Sequence, residues 1–128
     1  MTILLDTCTF LWLVCGADEL SDRARALIVD PANQVLLSAA SAWEIGVKHA
    51  LGKLPLPEEP MRFVAAERTR HRIDALPIDE AAALNVGRLA PLHRDPFDRM
   101  LVSQAVLGGY TILTPDRSIA QYPAATAW

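Results

Sequence analysis

Three apolar residues ending in a carboxylate, Ile3-Leu4-Leu5-Asp6, constrain this chain more than any other stretch in it. A short apolar run without polar alternation reads as a strand buried on both faces, as in a parallel sheet covered by helices. A carboxylate at the carboxyl end of such a strand lies where open α/β sheets build their ligand crevices. The pattern returns near the other end of the chain, as Thr111-Ile112-Leu113-Thr114-Pro115-Asp116. Two buried strands, each delivering an Asp at its carboxyl end, imply one acidic site assembled from opposite ends of the sequence.

Strands and helices alternate between these two runs. Residues 9–14 are apolar on nearly every side and read as a short buried helix stopped near Gly16. Ser21 is a good N-cap for a helix running to Asp30, with Ala24, Leu27 and Ile28 on one face. After the turn Asp30-Pro31-Ala32-Asn33, Val35-Leu36-Leu37 is a second buried strand. The next helix carries Ala39, Ala42, Trp43, Gly46, Val47 and Ala50 at three-four spacing, which predicts its core-facing stripe. Gly52 ends it, a proline-rich connection reaches Pro60, and residues 61–69 read as a further helix. Ala75-Leu76-Pro77 is a short strand candidate, and Asp79 caps an Ala-rich helix ending near Gly87-Arg88. Asp95-Pro96 opens a helix that runs to Leu107, and the chain beyond Asp116 reads as a helical turn and a tail to Trp128. This alternation predicts an α/β fold around a central parallel sheet. With 128 residues and no repeat or composition break, a single domain over residues 1–128 is expected.

Composition narrows the function classes. A formal charge of −3 argues against a wholly basic nucleic-acid binder, while leaving room for a local basic patch. Cys8 and Cys15 have no Cys or His partner at zinc-like spacing and are expected to be reduced core thiols. No basic segment precedes Ile3, and Asp6 breaks the apolar run well short of a secretory signal. No segment approaches the roughly 20 apolar residues of a membrane span. The expected location is the cytoplasm, with no membrane partner.

The acids carry the chemistry. Asp6 and Asp116 sit at strand ends, where each also suits the N-cap of the helical segment after it. Glu44 lies on the flank of the predicted stripe, where an i, i+4 pair with Lys48 is its alternative role. Asp95 precedes Pro96 and reads as an N-cap. Asp98 shares a helix face with Leu101, Val102 and Ala105, so the apolar stripe runs through it and the carboxylate needs a partner. No Lys follows Lys53 and helical geometry turns the nearby Arg94 and Arg99 elsewhere, so another carboxylate with a cation between is a sensible partner. Two carboxylates about 5 Å apart repel by roughly 3 kcal/mol at an effective dielectric of about 20. If Asp6, Glu44, Asp98 and Asp116 converge, they require counter-charge. Oxygen ligands without clustered His or Cys select hard cations, Mg²⁺ or Mn²⁺ rather than Zn²⁺. Such ions activate water and stabilise in-line displacement at phosphorus, so the chemistry indicated is phosphodiester hydrolysis.

Four pieces of sequence then acquire a common meaning: Leu4-Leu5-Asp6-Thr7, Ser38-Ala39-Ala40-Ser41-Ala42-Trp43-Glu44-Ile45, His93-Arg94-Asp95-Pro96-Phe97-Asp98-Arg99 with Gln104-Ala105, and Leu113-Thr114-Pro115-Asp116. Together, and in this order, they resemble the PIN domain, specifically the VapC-type toxin ribonucleases of prokaryotic toxin–antitoxin pairs. The resemblance places the family's acidic quartet on Asp6, Glu44, Asp98 and Asp116, with Asp6, Asp98 and Asp116 as metal ligands and Thr114 as a supporting hydroxyl. It implies a three-layer α/β/α fold, Mg²⁺- or Mn²⁺-dependent endoribonuclease activity on an RNA substrate, a homodimer, and inhibition by a cognate antitoxin. Two positions depart from the family's pattern: Cys8, where relatives often carry a polar residue, and Ser118, where many carry a further acid.

Candidate RNA contacts are Lys48, His49, Lys53, Arg94, Arg99 and Arg117, because they lie near the acids in sequence. The run Arg68, Arg70, His71 and Arg72 reads first as charge favourable to a helix C-terminus, with RNA contact as its alternative. Three rival readings are weaker. A receiver domain needs an acid pair after its first strand and a late Lys, and no Lys follows Lys53. A haloacid-dehalogenase-type phosphatase needs an Asp where Cys8 stands. A non-catalytic PIN-fold binding module would not need four acids.

Overall fold

The computed structural model describes residues 1–128. Its centre is a five-stranded, all-parallel sheet in the order β3-β2-β1-β4-β5. The strands are β1 (Thr2–Leu5), β2 (Gln34–Ser38), β3 (Asp74–Leu76), β4 (Thr111–Leu113) and β5 (Ala125–Ala127). Seven helices connect and cover them: α1 (Thr7–Cys15), α2 (Asp22–Val29), α3 (Ala39–Ala50), α4 (Pro60–Arg70), α5 (Glu80–Asn85), α6 (Pro96–Gly108) and α7 (Arg117–Ala120). A short 3₁₀ turn, Val86–Arg88, follows α5.

Alternation along β1 divides the interior into two cores. Ile3 and Leu5 point to one face of the sheet, where Phe10 and Leu13 of α1, Ala24 and Ile28 of α2, Ile45 of α3, and Phe63 and Val64 of α4 pack. Leu4 points to the other face, against Leu101, Val102 and Ala105 of α6, Ile119 of α7 and Tyr122. Because both faces are covered, the core of β1 is wholly buried, which is why its sequence shows no polar alternation. Helices on both faces of a parallel sheet make the three-layer α/β/α arrangement.

Strand order decides where a ligand can sit. The chain walks outward from β1 through β2 to β3, then returns to the other side of β1 for β4 and β5. The direction of winding reverses between β1 and β4, and the crevice of such sheets opens at the carboxyl ends of the strands at that point. In the register, Leu5 lies beside Leu113, so Asp6 and Thr114 emerge side by side. Left-handed glycines at the C-caps, Gly16 after α1 and Gly109 after α6, turn the chain sharply out of both helices.

Three expectations fail here. The tail contains β5, which pairs in parallel with β4; its Ala-Thr-Ala sequence is only three residues long and carries little β preference. Cys8 and Cys15 are free but exposed, because the core side of α1 is taken by Thr9, Phe10 and Leu13. Most of the predicted core stripe of α3 faces outward, with Ala42 alone packing against the core. Trp43 is 59% exposed and Val47 and Ala50 are exposed, whereas Ala40, Ser41, Glu44 and Ile45 are buried. The inner face of α3 is thus the more polar one.

The connection before α6 is irregular but tightly held. The Tyr122 hydroxyl accepts the backbone N–H groups of Leu92 and His93 at 3.2 and 3.0 Å and donates to the Ala90 carbonyl at 2.8 Å. The Arg99 guanidinium donates to that hydroxyl at 2.9 Å and to the carbonyls of Val86 and Ala90 at 3.1 and 3.0 Å. A loop without a ladder of its own thus has much of its backbone satisfied by two side chains, beside the Leu92 N–H bond to the Ala90 carbonyl at 2.8 Å. Tyr122→Phe should therefore cost roughly 1–3 kcal/mol, since it strands the His93 N–H, while the Leu92 N–H keeps the Ala90 carbonyl. Urea melts should record that loss, and amide hydrogen exchange at His93 should accelerate more than in α6. Unchanged protection at the His93 amide would contradict the role given to Tyr122.

Candidate active site

Four elements deliver acids to one cleft: Asp6 from the end of β1, Glu44 from α3, Asp95 and Asp98 from the start of α6, and Asp116 from the loop after β4. Thr7, Cys8 and Lys48 line the same cleft. Asp6, Asp95 and Asp116 are all helix N-caps as well. Asp6 Oδ1 accepts from Thr9 N–H at 2.7 Å, Asp116 Oδ1 from Ser118 N–H at 2.8 Å, and Asp95 Oδ1 from the N–H groups of Phe97 and Asp98 at 2.8 and 3.1 Å. The two roles open to Asp6 and Asp116 in sequence are therefore compatible, since each carboxylate caps with one oxygen only.

A layer of hydroxyls fixes these acids. Thr114 donates to Asp6 Oδ2 at 2.5 Å while its oxygen accepts the Asp116 N–H at 3.0 Å, which ties the two strand-end acids through one side chain. Thr9 donates to the Leu113 carbonyl at 3.0 Å and locks the start of α1 to β4. Thr7 donates to Glu44 Oε1 at 2.6 Å and lies 3.0 Å from the Ser41 hydroxyl. Glu44 Oε2 pairs with Lys48, so this acid makes its i, i+4 contact and also reaches the cleft. Ser38, at the end of β2, donates to Gln104 Oε1 at 2.5 Å, and Gln104 in turn donates to the Pro77 carbonyl at 3.1 Å.

His93 joins the acids, although nothing in the sequence assigned it a role. Its Nε2 lies 2.8 Å from Asp98 Oδ2 and 3.8 Å from Asp116 Oδ2. One ligand atom from each of His93, Asp98 and Asp116 falls within 4.8 Å of the others. Asp6 and Glu44 line the cleft outside this tightest group. The signal for His93 was its place five residues before Asp98, yet only the loop held by Tyr122 and Arg99 turns that spacing into contact. Arg99 itself is spent on loop carbonyls and points away from the acids. Arg94 and Arg117 are exposed, each next in sequence to a cleft acid, and His49 Nδ1 lies 2.9 Å from the Leu54 carbonyl.

The crowding has electrostatic consequences. Burial raises the Asp6 carboxyl above its ordinary range; its hydrogen bonds to Thr114 and Thr9 pull it down, and Asp116 adds to the rise. Burial pushes Asp98 up to about 6, with the His93 hydrogen bond opposing and the charges of Asp95 and Glu44 reinforcing. Burial also raises the Cys8 thiol, helped by Asp6, Glu44 and Asp98. Acids raised by desolvation and by one another are a donor set that fits a hard divalent cation, which Asp98, Asp116 and His93 could hold together.

The chain matches a known family nearly end to end. The PIN domain family model matches residues 3–125. The Ribonuclease VapC16 of Mycobacterium tuberculosis is 42% identical over 65 residues, 51% of this chain, and the match spans about half (46%) of that protein's length. Among solved structures, VapBC2 from Rickettsia felis, bound to a DNA fragment from its promoter, aligns over 99% of this chain and 98% of that one, with a TM-score of 0.72 at 14% identity. VapBC-1 from nontypeable Haemophilus influenzae aligns over 99% and 97%, with a TM-score of 0.65 at 16% identity. FitAcB from Neisseria gonorrhoeae aligns over 97% and 95%, with a TM-score of 0.59 at 22% identity. At these identities the structures speak for the fold.

Asp95 and Asp98 should respond oppositely to amidation. Asn caps about as well as Asp, so Asp95→Asn should leave stability nearly unchanged, whereas Asp95→Ala should lose about 1 kcal/mol. For Asp98 the folded-state carboxyl is raised above the unfolded one, so the native state holds the extra proton between about pH 4 and 6. The group's contribution therefore falls as pH rises through that window, and above it the metal-free protein carries the full penalty. Asp98→Asn should raise the pH 7.5 stability in EDTA by roughly 1–2 kcal/mol, discounted for the solvent that reaches the carboxylate. The gain should vanish near pH 4. Melting temperatures of both variants across pH 4–8 in chelator check the pair.

Proposed function

The chain belongs to the PIN domain family, and from that premise we propose that it is a divalent-metal-dependent endoribonuclease, the toxin of a toxin–antitoxin pair acting in the cytoplasm. The observation that carries the reading is the convergence of Asp6, Glu44, Asp98 and Asp116 on one cleft at the winding reversal of the sheet. The kinship with a ribonuclease over half the chain supports RNA as substrate.

In this reading Asp6, Asp98 and Asp116 would hold Mg²⁺ or Mn²⁺. When bound, the ion lowers the pKa of a water and offsets charge on the scissile phosphate. Asp6 is oriented by Thr9 and Thr114, whose hydrogen bonds offset part of the rise that burial imposes on its carboxyl. Glu44 is pinned by Thr7 and Lys48 and positions the attacking water on the α3 side of the cleft. Exposed Arg94 and Arg117, each next in sequence to a cleft acid, are the candidate contacts for the flanking phosphates. In-line attack by water on phosphorus leaves a 5′-phosphate and a 3′-hydroxyl.

The outward apolar stripe of α3 supports a partner. Trp43, Val47 and Leu51 share one exposed face, with Trp43 edge-on against Phe97 at 4.9 Å. Exposed contiguous apolar surface marks interfaces. We place the homodimer contact or the cognate antitoxin on this side of the molecule.

Two measurements test the proposal. RNA cleavage should need Mg²⁺ or Mn²⁺, cease in EDTA, fall by at least about a hundredfold in Asp98→Asn, and yield 5′-phosphate ends. Ends bearing a 2′,3′-cyclic phosphate, or full activity in chelator, would sink the mechanism; binding of RNA with no cleavage at all would return the chain to a binding module. Light scattering at micromolar concentration should give twice the 14.0 kDa chain mass, and a stable monomer would remove the dimer.

A further inference from the structure

We propose that His93 is itself a ligand of the divalent ion and biases the site toward Mn²⁺ over Mg²⁺. The inference rests on the metal-site reading above and deepens it. Three observations carry it. First, the imidazole is in the right place. Ligand atoms about 2.1 Å from an octahedral ion lie about 3.0 Å apart when adjacent and about 4.2 Å apart when opposed. His93 Nε2 lies 2.8 Å from Asp98 Oδ2 and 3.8 Å from Asp116 Oδ2, one at the adjacent spacing and one within the range between the two.

Second, the placement is built. The His93 backbone is held at both polar ends: its N–H donates to Tyr122 Oη at 3.0 Å, and its carbonyl accepts from Arg99 at 3.4 Å. Tyr122 is 4% exposed and belongs to the core under α6. The backbone from which the imidazole reaches Asp98 is thereby fixed in place. Third, the other imidazoles have different surroundings. His49 Nδ1 lies beside the Leu54 carbonyl, and His71 Nε2 is 3.4 Å from Glu67 Oε2 at the C-terminal end of α4. One histidine of three faces the acids.

The chemistry of the donor sets the preference. Mg²⁺ takes oxygen ligands and retains its waters, whereas imidazole nitrogen favours first-row transition ions. A nitrogen added to a carboxylate site raises the affinity for Mn²⁺ more than that for Mg²⁺.

The test uses the intact chain loaded with Mn²⁺ alone. Electron–nuclear double resonance on the wild-type protein should show a ¹⁴N coupling to the ion, and His93→Gln should abolish it. Calorimetry should show Mn²⁺ binding weakened about tenfold in His93→Gln, with a smaller change for Mg²⁺. Mn²⁺ bound without nitrogen coupling in the wild type, or a coupling that survives His93→Gln, overturns the inference. Asp98→Asn separates the two layers. If that variant binds Mn²⁺ as the wild type does, the metal-site reading falls and the inference with it. If it loses Mn²⁺ while the wild-type spectrum lacks nitrogen, only the role of His93 falls. The wild-type spectrum needs no variant to fold.

Discussion

Like charge packed into partly buried space is the constraint on which the rest of this structure depends. Asp6, Glu44, Asp98 and Asp116 line one cleft, and burial raises both Asp6 and Asp98. The fold offsets that cost with dipoles before any ion arrives. Asp6 caps α1, Asp95 caps α6 with Asp98 in its first turn, and Asp116 caps α7, so three helix N-termini point their free N–H groups toward the acids. Parallel strands make this possible, because each feeds its helix from the same edge of the sheet.

The hydroxyl layer converts that convergence into fixed geometry. Thr114 joins Asp6 to Asp116, Thr9 joins α1 to β4, and Thr7 joins α1 to Glu44 on α3. Each short polar side chain is buried and satisfied, so it orients an acid without adding an unpaired group. Tyr122 and Arg99 do the same for the loop that presents His93.

How much of this was legible in the sequence depended on whether the signal was local. The buried strands β1, β2 and β4 announced themselves, because a strand covered on both faces must be apolar throughout. The caps Ser21, Asp79 and Asp95 followed from side-chain chemistry within three residues. β5 was invisible, since its strand character comes from pairing with β4 rather than from Ala-Thr-Ala itself. His93 stood within a motif but had no task there. Its contact with Asp98 depends on Arg99, six residues further on, and on Tyr122, 29 residues further on, which together shape the loop.

The error at α3 is the most instructive. Periodicity assigned Ala39, Ala42, Trp43, Gly46, Val47 and Ala50 to the core on the premise that an apolar stripe faces inward. That premise fails where the inward face belongs to a polar site: Ser41 and Glu44 are buried because Thr7 meets them there. The stripe is then left on the surface, with Trp43 one residue from Glu44 and edge-on against Phe97, which is one residue from Asp98. A partner covering the stripe would press on two side chains whose neighbours in sequence are cleft acids. The twelve residues of one helix thus connect the proposed interface on its outer face to the proposed site on its inner face.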